Sequence, residues 1–97
     1  MGINFEWDLN KAVRNFRKHK VSLEEAATVF RDTLSITVPD PDHSVEEDRC
    51  ITIGLSNRFR LLMISHTEQG NYIRIISARE LTPEERRQYE EGSWNGR

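Results

Sequence analysis

Two kinds of side chain in this sequence can hold a phosphate or move a proton. Lys18, Arg74 and Arg79 are cations suited to an anionic group, and arginine binds phosphate through two parallel hydrogen bonds. His19 and His66 titrate near neutrality and suit acid–base work. Such a set can cleave RNA without a metal. A base withdraws the ribose 2′-OH proton, cations steady the charged phosphorus centre, and an acid protonates the leaving 5′-oxygen. The spacing leaves open which histidine takes which part. A histidine on a strand is structural more often than catalytic, which weighs against His66. His43 lies in an acidic loop and reads as inert. Arg74 interrupts the apolar run Ile73-Arg74-Ile75-Ile76, where an unpaired charge is costly to bury. Either it pairs with a carboxylate or it lies on a sheet face open to an anionic ligand.

The stretch from Asn71 to Glu91 positions two of these cations. Tyr72 to Ala78 is rich in Ile and reads as a strand. A helix follows, signed by Thr82 as cap, Pro83 at the first helical position and Glu85 three after the cap. Upstream, Ile3, Phe5 and Trp7 alternate as a short strand, and Asp8 caps a helix. Leu9, Ala12, Val13 and Phe16 follow helical spacing and predict the stripe that faces the core. Lys11, Arg14, Arg17 and Lys18 make its other faces basic, which is unusual in a net acidic chain. After a tight corner at Lys18-His19-Lys20-Val21, Ser22 and Glu25 form a second capping box that opens the next helix. The corner sets Lys18 and His19 beside a helix N-terminus, where backbone N–H groups favour an anion.

Leu34 to Val38, Arg49 to Leu55 and Arg60 to Thr67 read as three more strands. The turns at Ser56-Asn57 and Glu68-Gln69-Gly70-Asn71 are short, which predicts an antiparallel meander. The fold class is therefore α+β: an N-terminal strand and two helices on one face of an antiparallel sheet, with a C-terminal helix. The other face is left partly open, where Arg74 and His66 are tolerated. Residues 1–92 form a single domain, and 93–97, SWNGR, read as a loose tail.

Charged residues make up 31% of the 97 and the net charge is -2, so a general nucleic-acid coat is disfavoured but a local basic site is not. One cysteine, Cys50, excludes an internal disulfide and a cysteine metal framework; it reads as a small strand residue. Asp40, Asp42, His43, Glu46, Glu47 and Asp48 match no calcium-loop spacing and read as a solvated acidic loop, so no metal and no cofactor is expected. No apolar run approaches the roughly 18 residues of a membrane span, and MGINFEWD lacks the marks of a signal peptide. A reducing cytoplasm is the expected location.

From Phe5 to Tyr89 the chain resembles the BrnT toxins of bacterial type II toxin–antitoxin systems. The resemblance rests on FEWD at Phe5 to Asp8, KH and VSLEEA at Lys18 to Ala26, and VF at Val29-Phe30. It continues in IGLS at Ile53 to Ser56, HT at His66-Thr67, IRIISAR at Ile73 to Arg79, and ER with Tyr at Glu85-Arg86 and Tyr89. In this order the motifs are specific together. The resemblance implies a RelE-like fold, a metal-independent ribonuclease that arrests translation, and a BrnA antitoxin with a ribbon-helix-helix DNA-binding part. Operator DNA would be reached only through that antitoxin. The site residues it implies are Lys18, His19, Arg74 and Arg79, then His66 and Arg49; Lys11 and Arg14 of the basic helix join Arg49 as expected RNA contacts. Two positions depart from the family. Lys20 stands where Gly is usual, and Leu23 where Phe is usual, so the geometry of the corner is in question. The competing class is a binding module: a degenerate toxin that holds its antitoxin and DNA complex without cutting. Toxicity when expressed alone separates the two.

Overall fold

A computed structural model describes residues 3–40, 42 and 48–94. The elements run β1 (Asn4–Glu6), α1 (Leu9–His19), α2 (Leu23–Thr28) with a 3-10 turn (Val29–Arg31), β2 (Ile36–Pro39), β3 (Arg49–Leu55), β4 (Leu61–Gln69), β5 (Tyr72–Glu80) and α3 (Pro83–Glu90). Each α-helix begins at the cap its sequence signs. Asp8 Oδ1 accepts from the Lys11 amide at 3.0 Å, and Ser22 Oγ accepts from the Glu25 amide at 3.0 Å. Thr82 Oγ1 accepts from the Glu85 amide at 3.2 Å while Glu85 accepts from the Thr82 amide at 2.9 Å, a complete capping box.

The five strands form one sheet in the order β1-β5-β4-β3-β2. β2 to β5 are the antiparallel meander, but β1 joins β5 in parallel, Asn4 to Tyr72 and Glu6 to Arg74. The sheet is thus mixed, which corrects the purely antiparallel expectation. Alternation in three residues fixes a strand, not its direction; the direction follows from where Trp7 and Asp8 must turn into α1.

The core lies on one face of the sheet. Val21, Leu23, Ala26 and Val29 pack on Leu62, Ile64, Ile73, Ile75 and Ala78, flanked by Phe5, Trp7 and Phe30. Gly54 lies so close beneath the 3-10 turn that a Cβ there would sit 2.9 Å from Val29 Cγ1. β4 alternates cleanly, with Leu62, Ile64 and His66 buried on the core face and Leu61, Met63 and Ser65 half-buried on the other. The tail expected to be loose includes Trp94, which is 7% exposed, and the Ser93 amide donates to the Gln88 carbonyl at 2.8 Å.

α1 departs from its predicted orientation. Leu9, Val13 and Phe16, expected in the core, are 76%, 56% and 50% exposed. The side turned inward is that of Asn15. Its Nδ2 donates to the carbonyls of Val21 and Ala78, both at 2.9 Å, and its Oδ1 accepts from the Ala78 amide at 3.0 Å. β1 covers β5 only from Tyr72 to Arg74, leaving the rest of that edge without a strand. A side-chain amide carries the same donor and acceptor as a peptide, so Asn15 takes the place of a strand at Ala78. α1 is therefore held at the sheet edge by the bonds of Asn15 and by Ala12, the one member of the predicted stripe that packs on the core, with Leu9, Val13 and Phe16 outward.

Candidate active site

β5 carries one extra residue. Ser65 pairs with Ser77 but His66 pairs with Ile75, so Ile76 is a bulge. It reverses the alternation beyond it. Arg74 pairs with Thr67 and Arg79 with Met63, and those two β4 residues share the face away from the core. Arg74, Ser77 and Arg79 consequently lie on that one face. Arg74 meets both readings offered for it: its Nη1 donates to Glu6 Oε2 at 2.7 Å, and its side chain is still 41% exposed.

Beside the bulge a cleft of about 440 Å³ lies between β5 and α1. Lys11, Arg14, Lys18 and His19 line it from the helix, and Ile76 and Ser77 from the strand. His19 is half-buried, while Lys18 is exposed. Burial lowers the pKa of His19 below its ordinary value of 6.5, and the charges of Lys18 and Arg79 lower it further. The ring is therefore neutral at pH 7 and able to accept a proton. The structure thus brings together Lys11, Arg14, Lys18, His19 and, as a charge acting on His19, Arg79.

Arg79 is not a free cation. Its Nη1 and Nη2 donate to the two carboxylate oxygens of Glu85 at 2.8 and 2.9 Å, and Nη1 also reaches the Glu80 carbonyl at 3.2 Å. Arg79 above all holds the Glu85 carboxyl down to about 2. The capping box of α3 is in this way tied to the end of β5. The guanidinium keeps its charge, since the hydrogen bonds to Glu85 raise its pKa.

The corner is fixed from below. Lys20 adopts φ 60°, ψ 31°, the left-handed cap that glycine would supply, and its amide donates to the Phe16 carbonyl at 2.8 Å. Arg60 donates through Nη2 to the Lys20 carbonyl at 3.1 Å, through Nε to Glu25 Oε2 at 3.0 Å, and through Nη1 to Glu80 at 3.2 Å. Its Nη2 also pairs with Glu25 Oε1. Ser56 Oγ donates to Glu25 Oε2 at 2.7 Å. Glu25 is buried, and these donors lower its pKa, Arg60 first. Its side chain is thereby withdrawn from the expected capping box at Ser22.

Three expected residues, His66, Arg49 and Arg74, lie elsewhere. His66 is 0% exposed, on the covered face rather than the open one. Nε2 bonds Thr52 Oγ1 at 2.7 Å, the ring stands edge-on to Phe30 at 4.9 Å, and Nδ1 has no hydrogen-bond partner. Burial pushes its pKa down to about 4, against a weak opposite pull from the Thr67 backbone. It has no surface from which to meet a substrate. Arg49 begins β3 in register with Thr67 and so shares a row with Arg74, two strand spacings (about 10 Å) away. That row is at the opposite end of β5 from Arg79 and His19. His43, Glu46 and Glu47 fall outside the described residues, and among those described no three His, Cys, Asp or Glu side chains gather as a metal site. Asn15, Glu25, Arg60, Ser77 and Glu85 were not foreseen in these roles. Of these, Glu25 and Glu85 carry a sequence signal, each standing three residues after a helix cap.

Residues 7–85 match the family described as "Ribonuclease toxin, BrnT, of type II toxin-antitoxin system". The chain belongs to the BrnT family. Its fold is similar to that of the Brucella abortus ribonuclease toxin BrnT, whose crystal structure superposes with a TM-score of 0.66 over 84% of this chain and 99% of that one. Sequence identity between the two is 19%, so this likeness speaks for the fold alone. No curated protein matches the chain. Membership makes this BrnT chain the toxin of a type II pair, with an antitoxin as partner. No helix among the described residues is long and apolar enough to cross a membrane.

Proposed function

We propose that this BrnT chain is a metal-independent endoribonuclease, RelE-like in architecture, that cuts RNA in the cytoplasm and so arrests translation. The observation that carries the reading is the placement of His19, kept neutral by burial, in a cleft with Lys11, Arg14 and Lys18 beside Arg79. His19 is the general base. Of the described histidines it is the one with access to the cleft, and it takes the 2′-OH proton as the 2′-oxygen attacks phosphorus; the P–O5′ bond breaks and the leaving 5′-oxygen takes a proton from water. Lys18 and Arg79 stabilise the charge that grows on the phosphate oxygens. Lys11 and Arg14 hold the adjoining phosphate, and Arg74 with Arg49 guides the strand over the sheet's other face. A BrnA-like antitoxin neutralises the toxin, and its ribbon-helix-helix part takes the pair to operator DNA.

The test is incubation of the purified toxin with RNA in excess chelator. Equal cleavage with and without chelator is expected. Cleavage lost with chelator and restored by magnesium overturns the mechanism. One observation favours a second reading, the degenerate toxin: both ends of the Arg79 guanidinium are engaged by Glu85. That reading predicts no cleavage in either condition with antitoxin binding intact.

A further inference from the structure

The basic cleft occupies one side of α1, and a second, unlike surface occupies the other. Leu9, Val13 and Phe16 recur at i, i+4 and i+7 and stand on one stripe, each at least half exposed. Ala12, Val13 and Phe16 continue into a shallow groove of about 330 Å³, closed on its far side by Ser22, Leu23 and Glu24 of the second helix. Nothing among the described residues covers the stripe. A run of large apolar side chains left open on a small polar domain marks an interaction site.

The charges around the groove are not symmetrical. Arg17 lies one helical turn beyond Val13, roughly 40° around the helix from it, with Arg14 further along the same flank. Glu24 lies on the opposite rim. α1 has no acid in its first turn and three basic residues in its last. An occupant must therefore bring an apolar ridge for the groove, carboxylates toward Arg14 and Arg17, and none toward Glu24.

We propose that this groove is where the antitoxin docks, through an amphipathic helix with one acidic flank. The proposal rests on the toxin–antitoxin partnership and not on the ribonuclease chemistry. The helix lies along α1 on the side away from the RNA cleft, with its apolar ridge between α1 and α2. Its carboxylates engage Arg14 and Arg17, and Arg14 also lines the cleft. Neutralisation follows because the docked segment draws a cation from the cleft and obstructs the approach to it.

The experiment is titration of the purified toxin with its cognate antitoxin, without RNA. Val13→Ser combined with Phe16→Ser is expected to weaken binding at least 30-fold, about the effect of one buried apolar anchor. Arg17→Glu is expected to slow association about tenfold and to flatten its dependence on salt. Cleavage of RNA by the free double variant should match that of the parent, because neither residue lines the cleft. Should the double variant fail to fold, Leu9→Ser and Arg17→Glu carry the same test at more exposed positions. Unchanged antitoxin affinity in these variants overturns the proposal. So does a parent dimer that the variants make monomeric while antitoxin affinity stays the same, which would assign the stripe to a second copy of the chain.

Discussion

Arg74 and Arg79 face the same side of β5 although they stand five positions apart. A regular strand would send them to opposite faces. The extra residue Ile76 restores them to one face, roughly 15 Å apart along the strand. One RNA strand can then pass both. In a His19→Ala background that binds without cutting, Arg74→Ala and Arg79→Ala should each reduce the slope of log affinity against log salt by about 0.7, the value for one phosphate contact on a single strand. The double variant should lose the sum, since the sites are too far apart to couple. An unaltered slope for Arg74→Ala would show that its charge serves Glu6 alone.

The rate should depend on pH through His19. Its neutral form is the base, so kcat/KM rises with pH and levels off once the ring is deprotonated. Burial first, then Lys18 and Arg79, place that midpoint below 6.5. Arg79→Ala removes one of those causes and should move the midpoint upward, whereas loss of a merely structural residue leaves it in place. His19→Ala should lower the rate by about 10²–10⁴ at neutral pH. A pH profile of RNA cleavage for the three proteins decides this; a midpoint indifferent to Arg79 would remove it from the site.

The caps at Asp8, Ser22 and Thr82, the meander and the Lys18-His19 corner were legible because each rests on local chemistry. What was illegible depends on edges and parity. Asn15 is an unremarkable helix residue until β1 proves too short to cover β5. The stripe Leu9, Val13 and Phe16 satisfied the helical rule for a core face, but that rule reports amphipathicity and not what the apolar side meets. The sequence leaves His66 on an open face; the register puts it on the covered one, where Thr52 Oγ1 bonds its Nε2. The bulge at Ile76 has no signature in IRIISAR, so the shared face of the two arginines could be found only from the register.

His66 and Glu85 should give stability two separate dependences on pH. The folded state holds the His66 pKa near 4 against 6.5 for the free group, so the unfolded chain binds the extra proton. Stability is complete above pH 6.5 and falls as pH drops toward 4, by about 3 kcal/mol in all. Glu85, held near 2, contributes above its ordinary value of 4.5 and loses that contribution as pH falls toward 2. Urea midpoints measured across pH should show both steps. His66→Leu should remove the upper step and leave RNA cleavage unchanged, while Arg79→Ala should diminish the lower one. An upper step that survives His66→Leu would assign it to another group.

Lys20 is the departure from the family whose cost can be read directly. Its left-handed backbone is imposed by the bond from its amide to the Phe16 carbonyl and by Arg60, which grips its own carbonyl. An L-residue in that conformation gives up about 1–2 kcal/mol that glycine does not. Glycine gives back part of this through a more disordered unfolded chain, about 0.4–1 kcal/mol. Lys20→Gly should thus stabilise the protein by about 0.5–1 kcal/mol, raising Tm by a few degrees. The corner should keep its shape, so cleavage should not change. Arg60→Ala acts in the opposite direction on the same corner. It frees the Lys20 carbonyl and strips the buried Glu25 of its cation, a loss of about 3–5 kcal/mol for a broken buried pair. Thermal melts of the two variants check both signs. A Lys20→Gly protein that melts below the parent would mean that the lysine side chain, exposed though it is, stabilises the corner by more than its backbone strain.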